Sequence, residues 1–191
     1  MSGNVDTSEF VFKGKHAEYV VKLTSKIDTR TEFKIFKRNI DVLIFAPIVG
    51  MIYGRRSKID HDNTIKDRDI NYQQLVRESP TLNYNKELVL LLNKKDQIEV
   101  DERINKAFRY IYDNREDYKD KKELCESEYM EYILGGVEVL YEKLMEDAKT
   151  IEDYVDNMFN FIKEIKDKKN AFEMDDDELF NLCFKAESNQ N

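Results

Sequence analysis

Asp41-Val-Leu-Ile-Phe-Ala-Pro-Ile-Val-Gly-Met-Ile-Tyr-Gly54 is the one long apolar run in a chain that is 37% charged, and Arg55-Arg56-Ser57-Lys58 follows it at once. Removing such a run from water is favourable, so other elements must close over it. It falls short of the roughly 20 apolar residues that cross a bilayer. It therefore reads as the spine of a core. Upstream, Phe33, Phe36, Ile40, Leu43 and Ile44 recur at three- and four-residue spacing, which predicts a helix leading into the run, with Lys34, Lys37 and Arg38 largely on its other side. Pro47 removes a backbone donor and crowds the carbonyl four residues back, so this helix is expected to kink or restart there. Ala46, Gly50 and Gly54 recur every fourth residue and suggest a smooth strip where another backbone approaches closely. Ile44, Ile48 and Met51 are expected at the centre of the body.

Working outward, the sequence predicts an all-α protein, an irregular bundle of about six to eight helices around this buried, Pro-kinked helix. Residues 1–12 are expected to form a flexible N-terminal segment, with Phe10-Val-Phe12 as a short strand or a staple onto the core. Residues 13–191 then form a single all-α domain, and the charged run 114–122 marks where a sub-division would fall. A helix is predicted from Gly14 to Ile27, with Ala17, Val20 and Val21 on its apolar face. Thr29 or Thr31 would cap the next one. Residues 55–70 read as an exposed loop. A short helix near Tyr72–Glu78, a turn at Ser79-Pro80 and a helix from Leu82 to Leu92 follow. Ile104, Ala107, Phe108 and Ile111 mark another helix. Residues 120–147 predict a long one, with Ile133, Val137, Leu140 and Leu144 on one stripe. Gly135-Gly136 in its middle costs about 1 kcal/mol per glycine against alanine, which points to close packing or a bend. Thr150-Ile-Glu-Asp153 is a capping signal for the helix that follows. A last helix is expected over Asp177–Lys185, its acidic start complementing the helix dipole.

Net charge is −8, unevenly spread. Residues 1–60 carry about +4 and residues 101–191 about −11. The balance argues against a bulk nucleic-acid coat, while the asymmetry permits a local basic face. The N-terminus Met1-Ser-Gly-Asn-Val-Asp-Thr lacks the basic and apolar regions of a secretory signal. A cytoplasmic location with Cys125 and Cys183 as reduced thiols is the resulting expectation.

The residues of chemistry are few. His16 and His61 are the two histidines, and no phosphate-binding glycine loop, cysteine cluster or nucleophile elbow occurs. His16 on a helical face reads as a packed surface histidine sooner than a general base. Asp60-His61-Asp62 invites a metal test. As a calcium loop starting at Asp60 it has Asp62 and Thr64 in place, but Ile65 stands where glycine is required and Asn71 where the closing glutamate is. No metal and no cofactor is therefore expected. Asp117-Tyr118-Lys119 echoes the end of a metal-dependent nuclease motif without the sheet edge such sites need.

The basic residues Lys34, Lys37, Arg38, Arg55, Arg56 and Lys58 are the candidate contact set, for nucleic acid or for a protein partner. The competing reading is a basic helix flank that offsets the helix dipole and pairs with the acidic C-terminal helices. Phe45-Ala-Pro-Ile-Val-Gly-Met-Ile-Tyr-Gly-Arg-Arg56 and Tyr132-Ile-Leu-Gly-Gly-Val-Glu-Val-Leu-Tyr141 resemble small helical proteins encoded in bacterial anti-phage defence gene clusters. That resemblance implies a non-catalytic accessory subunit of a larger cytosolic complex, beside an ATPase or nuclease. The alternatives are a stand-alone DNA- or RNA-binding protein and an enzyme with a dispersed Asp/His site. No membrane partner is expected.

Overall fold

A computed structural model of the chain describes residues 10–28, 32–93 and 98–169. Among these the protein is predominantly helical. The α-helices are α1 (Gly14–Thr24), α2 (Asn39–Tyr53), α3 (Tyr72–Leu92), α4 (Val100–Asn105), α5 (Lys119–Leu144) and α6 (Ile151–Lys169). A π-helical stretch, Lys106–Tyr110, continues α4, and a 3-10 turn at Glu116–Tyr118 leads into α5. The predicted helix over Asp177–Lys185, Cys183 and the threonine caps at Thr29 and Thr31 lie outside the described residues.

The organising contact is α2 against α5. The approach is close because both helices present backbone instead of side chains. A Cβ added at Gly136 would overlap the Ala46 carbonyl and crowd the Gly50 amide. One added at Gly50 would overlap the Tyr132 carbonyl, and one at Gly135 the Arg55 carbonyl. Ala46 and Gly50 thus form the strip expected from their spacing. Gly54 instead ends α2 in the left-handed region, at φ 60°. Where the strip faces α5, the larger side chains turn to its flanks. Val42, Leu43, Val49 and Met51 are buried, whereas Ile44 and Ile48 are only half-buried, so the expected centre of the body shifts around the helix. On α5 the stripe Ile133, Val137, Leu140 and Leu144 is buried as expected.

Three expectations are corrected. The helix predicted through Phe33 starts only at Asn39: residues 32–38 run as non-helical chain, with the Phe36 amide donating to the Leu23 carbonyl at 3.1 Å. Ile35 and Phe36 pack against the core from that conformation, and periodicity alone does not separate such spacing from a helix. Pro80 does not end a helix; α3 passes through it, because Leu75 on one side and Asn85, Val89 and Leu90 on the other are all buried. Burial of one continuous face outweighs the roughly 3 kcal/mol cost of an interior proline. Asn85 also donates its side-chain amide to the Ile44 carbonyl of α2, at 2.8 Å. Lastly, the 55–70 segment is not all loop, and a sheet exists. Its end, β2 (Arg68–Ile70), pairs antiparallel with β1 (Phe10–Phe12), Phe10 opposite Ile70 and Phe12 opposite Arg68. Phe12 and Ile70 reach the core, so residues 10–12 belong to the body.

The start of α6 follows its sequence signal. The Thr150 hydroxyl accepts from the Asp153 amide at 3.2 Å, and the Asp153 carboxylate accepts from the Thr150 amide at 2.8 Å. No helix among the described residues is long and apolar enough to cross a membrane.

Candidate functional site

The six basic candidates do not form one corner. Arg38 stands at the start of α2 and Arg55 follows its end, and a 15-residue helix separates them, about 22 Å at 1.5 Å per residue. Each group has its own surroundings.

At the N-terminal end, Arg38 is clamped by Asp41. Its Nη2 lies 2.5 Å and its Nε 3.0 Å from Asp41 Oδ1, while the Arg38 amide donates to Asp41 Oδ2 at 2.9 Å. The carboxylate thus holds the guanidinium and caps the helix at once. Glu78 of α3 lies 3.6 Å from the same guanidinium. Lys34 is half-buried and Lys37 exposed, both on the non-helical lead into α2.

At the C-terminal end, the chain leaving α2 is strapped across α5. Arg55 Nε lies 3.3 Å from Glu138 Oε2 and its Nη2 2.8 Å from Glu142 Oε1. Arg56 Nε pairs with Glu131 Oε2 at 2.8 Å, its guanidinium 5.5 Å from the centre of the Tyr132 ring. The Ser57 amide donates to the Glu131 carbonyl at 3.0 Å, and its hydroxyl to Glu138 Oε1 at 2.6 Å. Lys58 is exposed. Pairing with the acidic C-terminal helices, the competing reading of this cluster, describes Arg55 and Arg56.

Glu138 is the hub that sequence reasoning missed. It is buried, and besides Ser57 and Arg55 it receives Lys15 Nζ at 2.8 Å and His16 Nε2 at 3.2 Å from α1. Burial alone would raise its pKa. The hydrogen bonds from Lys15, Ser57 and Arg55, with the charge of Lys15, outweigh that and lower it to about 2. His16 is fully buried, not a surface residue. Its pKa is lowered chiefly by burial, against the pull of Glu138 toward the charged form. The signal was present in the sequence: Glu138 is a lone carboxylate inside Gly135-Gly-Val-Glu-Val-Leu140, and Glu131 and Glu142 share its helical face.

A second buried network ties α3 to α5. Tyr132 donates to Asn93 at 2.9 Å, Asn93 to Glu128 Oε1 at 2.5 Å, and Lys106 of the π-helical turn to Glu128 Oε2 at 2.8 Å. Both networks join secondary-structure elements to one another and have the character of structural ties.

The Asp60-His61-Asp62 carboxylates serve the backbone. Asp60 Oδ2 accepts from the Lys15 amide at 2.8 Å and so caps α1, and Asp60 Oδ1 accepts from the Asp62 amide at 3.1 Å. Asp62 Oδ1 accepts from the Thr64 amide and hydroxyl. Among the described residues no group of histidine, cysteine and carboxylate side chains is arranged to hold a metal ion. Asp60→Ala is therefore expected to lower the melting temperature slightly, because the Lys15 amide in the first turn of α1 loses its acceptor. The loss should be equal with millimolar Ca²⁺ and with a chelator in a thermal melt. A metal-dependent difference would show that the loop is a cation site. Asp117 and Tyr118 lie in the 3-10 turn and Lys119 opens α5, remote from the two-stranded sheet in chain order. Burial pushes the Cys125 thiol up to about 11, leaving it unreactive near neutral pH.

One exposed surface remains chemically distinctive. Tyr72, Val76, Pro80 and Tyr84 climb one side of α3 at four-residue spacing, all exposed, Tyr84 by 63%. Beside them is an open depression of about 530 Å³ lined by Arg38, Asn71, Gln73, Gln74 and Arg77.

The chain has no match among protein-family models, curated proteins or solved structures.

Proposed function

We propose that this chain is a non-catalytic, partner-binding subunit, and that α3 carries its docking surface. The observation that carries the reading is the exposed Tyr72–Val76–Tyr84 stripe beside Arg77, whose side chain is 65% exposed and pairs with the adjacent Glu78 at 3.3 Å. Tyrosine and arginine are the residue types that dominate protein interfaces, because they combine a large apolar area with directional hydrogen bonding. The partner that suits this surface is a protein offering apolar side chains to the stripe and carbonyls or carboxylates to Arg77. The resemblance to accessory proteins of anti-phage gene clusters supports a larger ATPase or nuclease in that role. Nucleic acid is the weaker reading, because Arg55 and Arg56 already hold α5 carboxylates.

The test is affinity purification of the tagged full chain from its native host. The partner recovered is then titrated, as purified protein, against wild type and Val76→Asp with Tyr84→Ala. Loss of tenfold or more in affinity, with an unchanged melting temperature, is expected. Unchanged affinity for that partner would remove α3 from the interface. A salt titration against duplex DNA and RNA runs beside it. Binding that weakens steeply with salt, and that Arg55→Ala with Arg56→Ala reduces, would replace this reading with the nucleic-acid one.

A further inference from the structure

α6 has a wider apolar face than the body covers. Tyr154, Met158, Phe161 and Ile165 lie on the side turned to the body and are half-buried; Phe161 stacks on Tyr53 of α2 with ring centres 6.2 Å apart. Val155, Phe159 and Ile162, at positions i, i+4 and i+7, continue this face around the helix into solvent, Phe159 exposed by 69% and Ile162 by 63%. Three large side chains on one contiguous strip differ from the scattered exposed apolar residues of any surface. None of residues 151–168 of this helix is fully buried, so its stability depends on what else it packs against.

Residues 170–191 continue the chain from the C-terminus of α6. Leu179, Leu182, Cys183 and Ala186 fall at i, i+3, i+4 and i+7, a helical apolar stripe, with Phe180 and Phe184 beside it. The seven residues 170–176 match the length of an ordinary connection between antiparallel helices. Charge favours the same pairing. Residues 173–178 hold Glu173, Asp175, Asp176, Asp177 and Glu178, while Lys163 and Lys166 stand exposed next to the apolar strip of α6.

We propose that the exposed strip Val155–Phe159–Ile162 is the docking site for residues 177–186 of the same chain, laid antiparallel along α6. With the shortest connection, Cys183 falls six residues past Asp177, about 9 Å back along α6, opposite residues near 162. Cys125 is buried and Cys183 is the other cysteine, so the native thiol serves as the probe.

The experiment introduces Phe159→Cys, Ile162→Cys and, as a remote exposed control, Glu123→Cys, each in the full chain under mild oxidation. The expected result is an intramolecular disulfide from Cys183 to position 159 or 162, identified by peptide mass spectrometry in a monomeric fraction and lost with Cys183→Ser. The control should form none. Hydrogen exchange supplies an independent readout: Leu179→Asp with Phe180→Asp should speed exchange of the 155–165 amides severalfold while those of α2 and α5 stay slow. Disulfides formed only between chains would assign the strip to a second copy. No disulfide at either position, with unchanged α6 exchange in the aspartate variant, would overturn the proposal.

Discussion

Gly136→Ala is expected to lower the melting temperature by about 10 °C or more, although alanine is the better helix former. Helix propensity taken alone favours the substitution by about 1 kcal/mol. Against it stands the Ala46 carbonyl, in the space the new methyl would need, with the Gly50 amide behind it. Both obstacles are backbone, which has no rotamer to yield. The two helices would have to separate along the contact that organises the molecule, and the layers packed on them would loosen. Overpacking usually costs 1–3 kcal/mol, occasionally more, where side chains give way. With backbone on both sides the cost is expected at about 4 kcal/mol, and each kcal/mol shifts a domain of this size by roughly 2–4 °C. Gly54→Ala is the matched control. Nothing lies within 4 Å of its new Cβ, and only the left-handed backbone at φ 60° opposes it. That strain is about 1 kcal/mol. Equal melting temperatures for the two variants would mean that α2 and α5 are not in backbone contact.

Removing the Glu138 carboxylate is expected to be the next most damaging change. Glu138→Ala leaves the buried His16 Nε2 and the Ser57 hydroxyl without their acceptor, whereas Lys15 and Arg55, each nearly half exposed, recover water. The expected loss is about 2–4 kcal/mol, below the full penalty of an unpaired buried charge for that reason.

Its pH signature separates the charge from the shape. Glu138 titrates near 2 in the folded protein against 4.5 for an unperturbed glutamate. As pH falls, the unfolded chain takes up this proton first. The stabilisation is therefore complete above about pH 4.5 and lost as pH falls toward 2. The shift corresponds to about 3 kcal/mol, discounted to about 2 because water screens Lys15 and Arg55. His16 acts in the same direction at higher pH. Burial lowers its pKa from 6.5, so the unfolded state binds its proton first and stability declines as pH drops below that value. Urea melts of wild type and Glu138→Gln between pH 7 and pH 3 check this. The glutamine variant should show a shallower loss below pH 4.5. Parallel curves would mean that Glu138 is not the group bearing the charge.

The helical class, the stripe on α5, the cap of α6 and the close strip at Ala46 and Gly50 were all legible in the linear chain. Each rests on neighbours within about one or two helical turns, where spacing and residue type dictate geometry. The start of α2, the continuity of α3 through Pro80 and the β1–β2 pair were not. In those places local preference is overruled by contacts between residues far apart in sequence, such as Phe36 with Leu23, Asn85 with Ile44 and Phe10 with Ile70. The basic residues show the division most plainly. Their number and charge could be read directly. That α2 holds Arg38 about 22 Å from Arg55 follows from helix rise alone. That Arg55 and Arg56 meet Glu138, Glu142 and Glu131 was decided by tertiary structure: Gly50, Gly135 and Gly136 let α2 settle onto α5, bringing carboxylates some 80 residues away within hydrogen-bond reach.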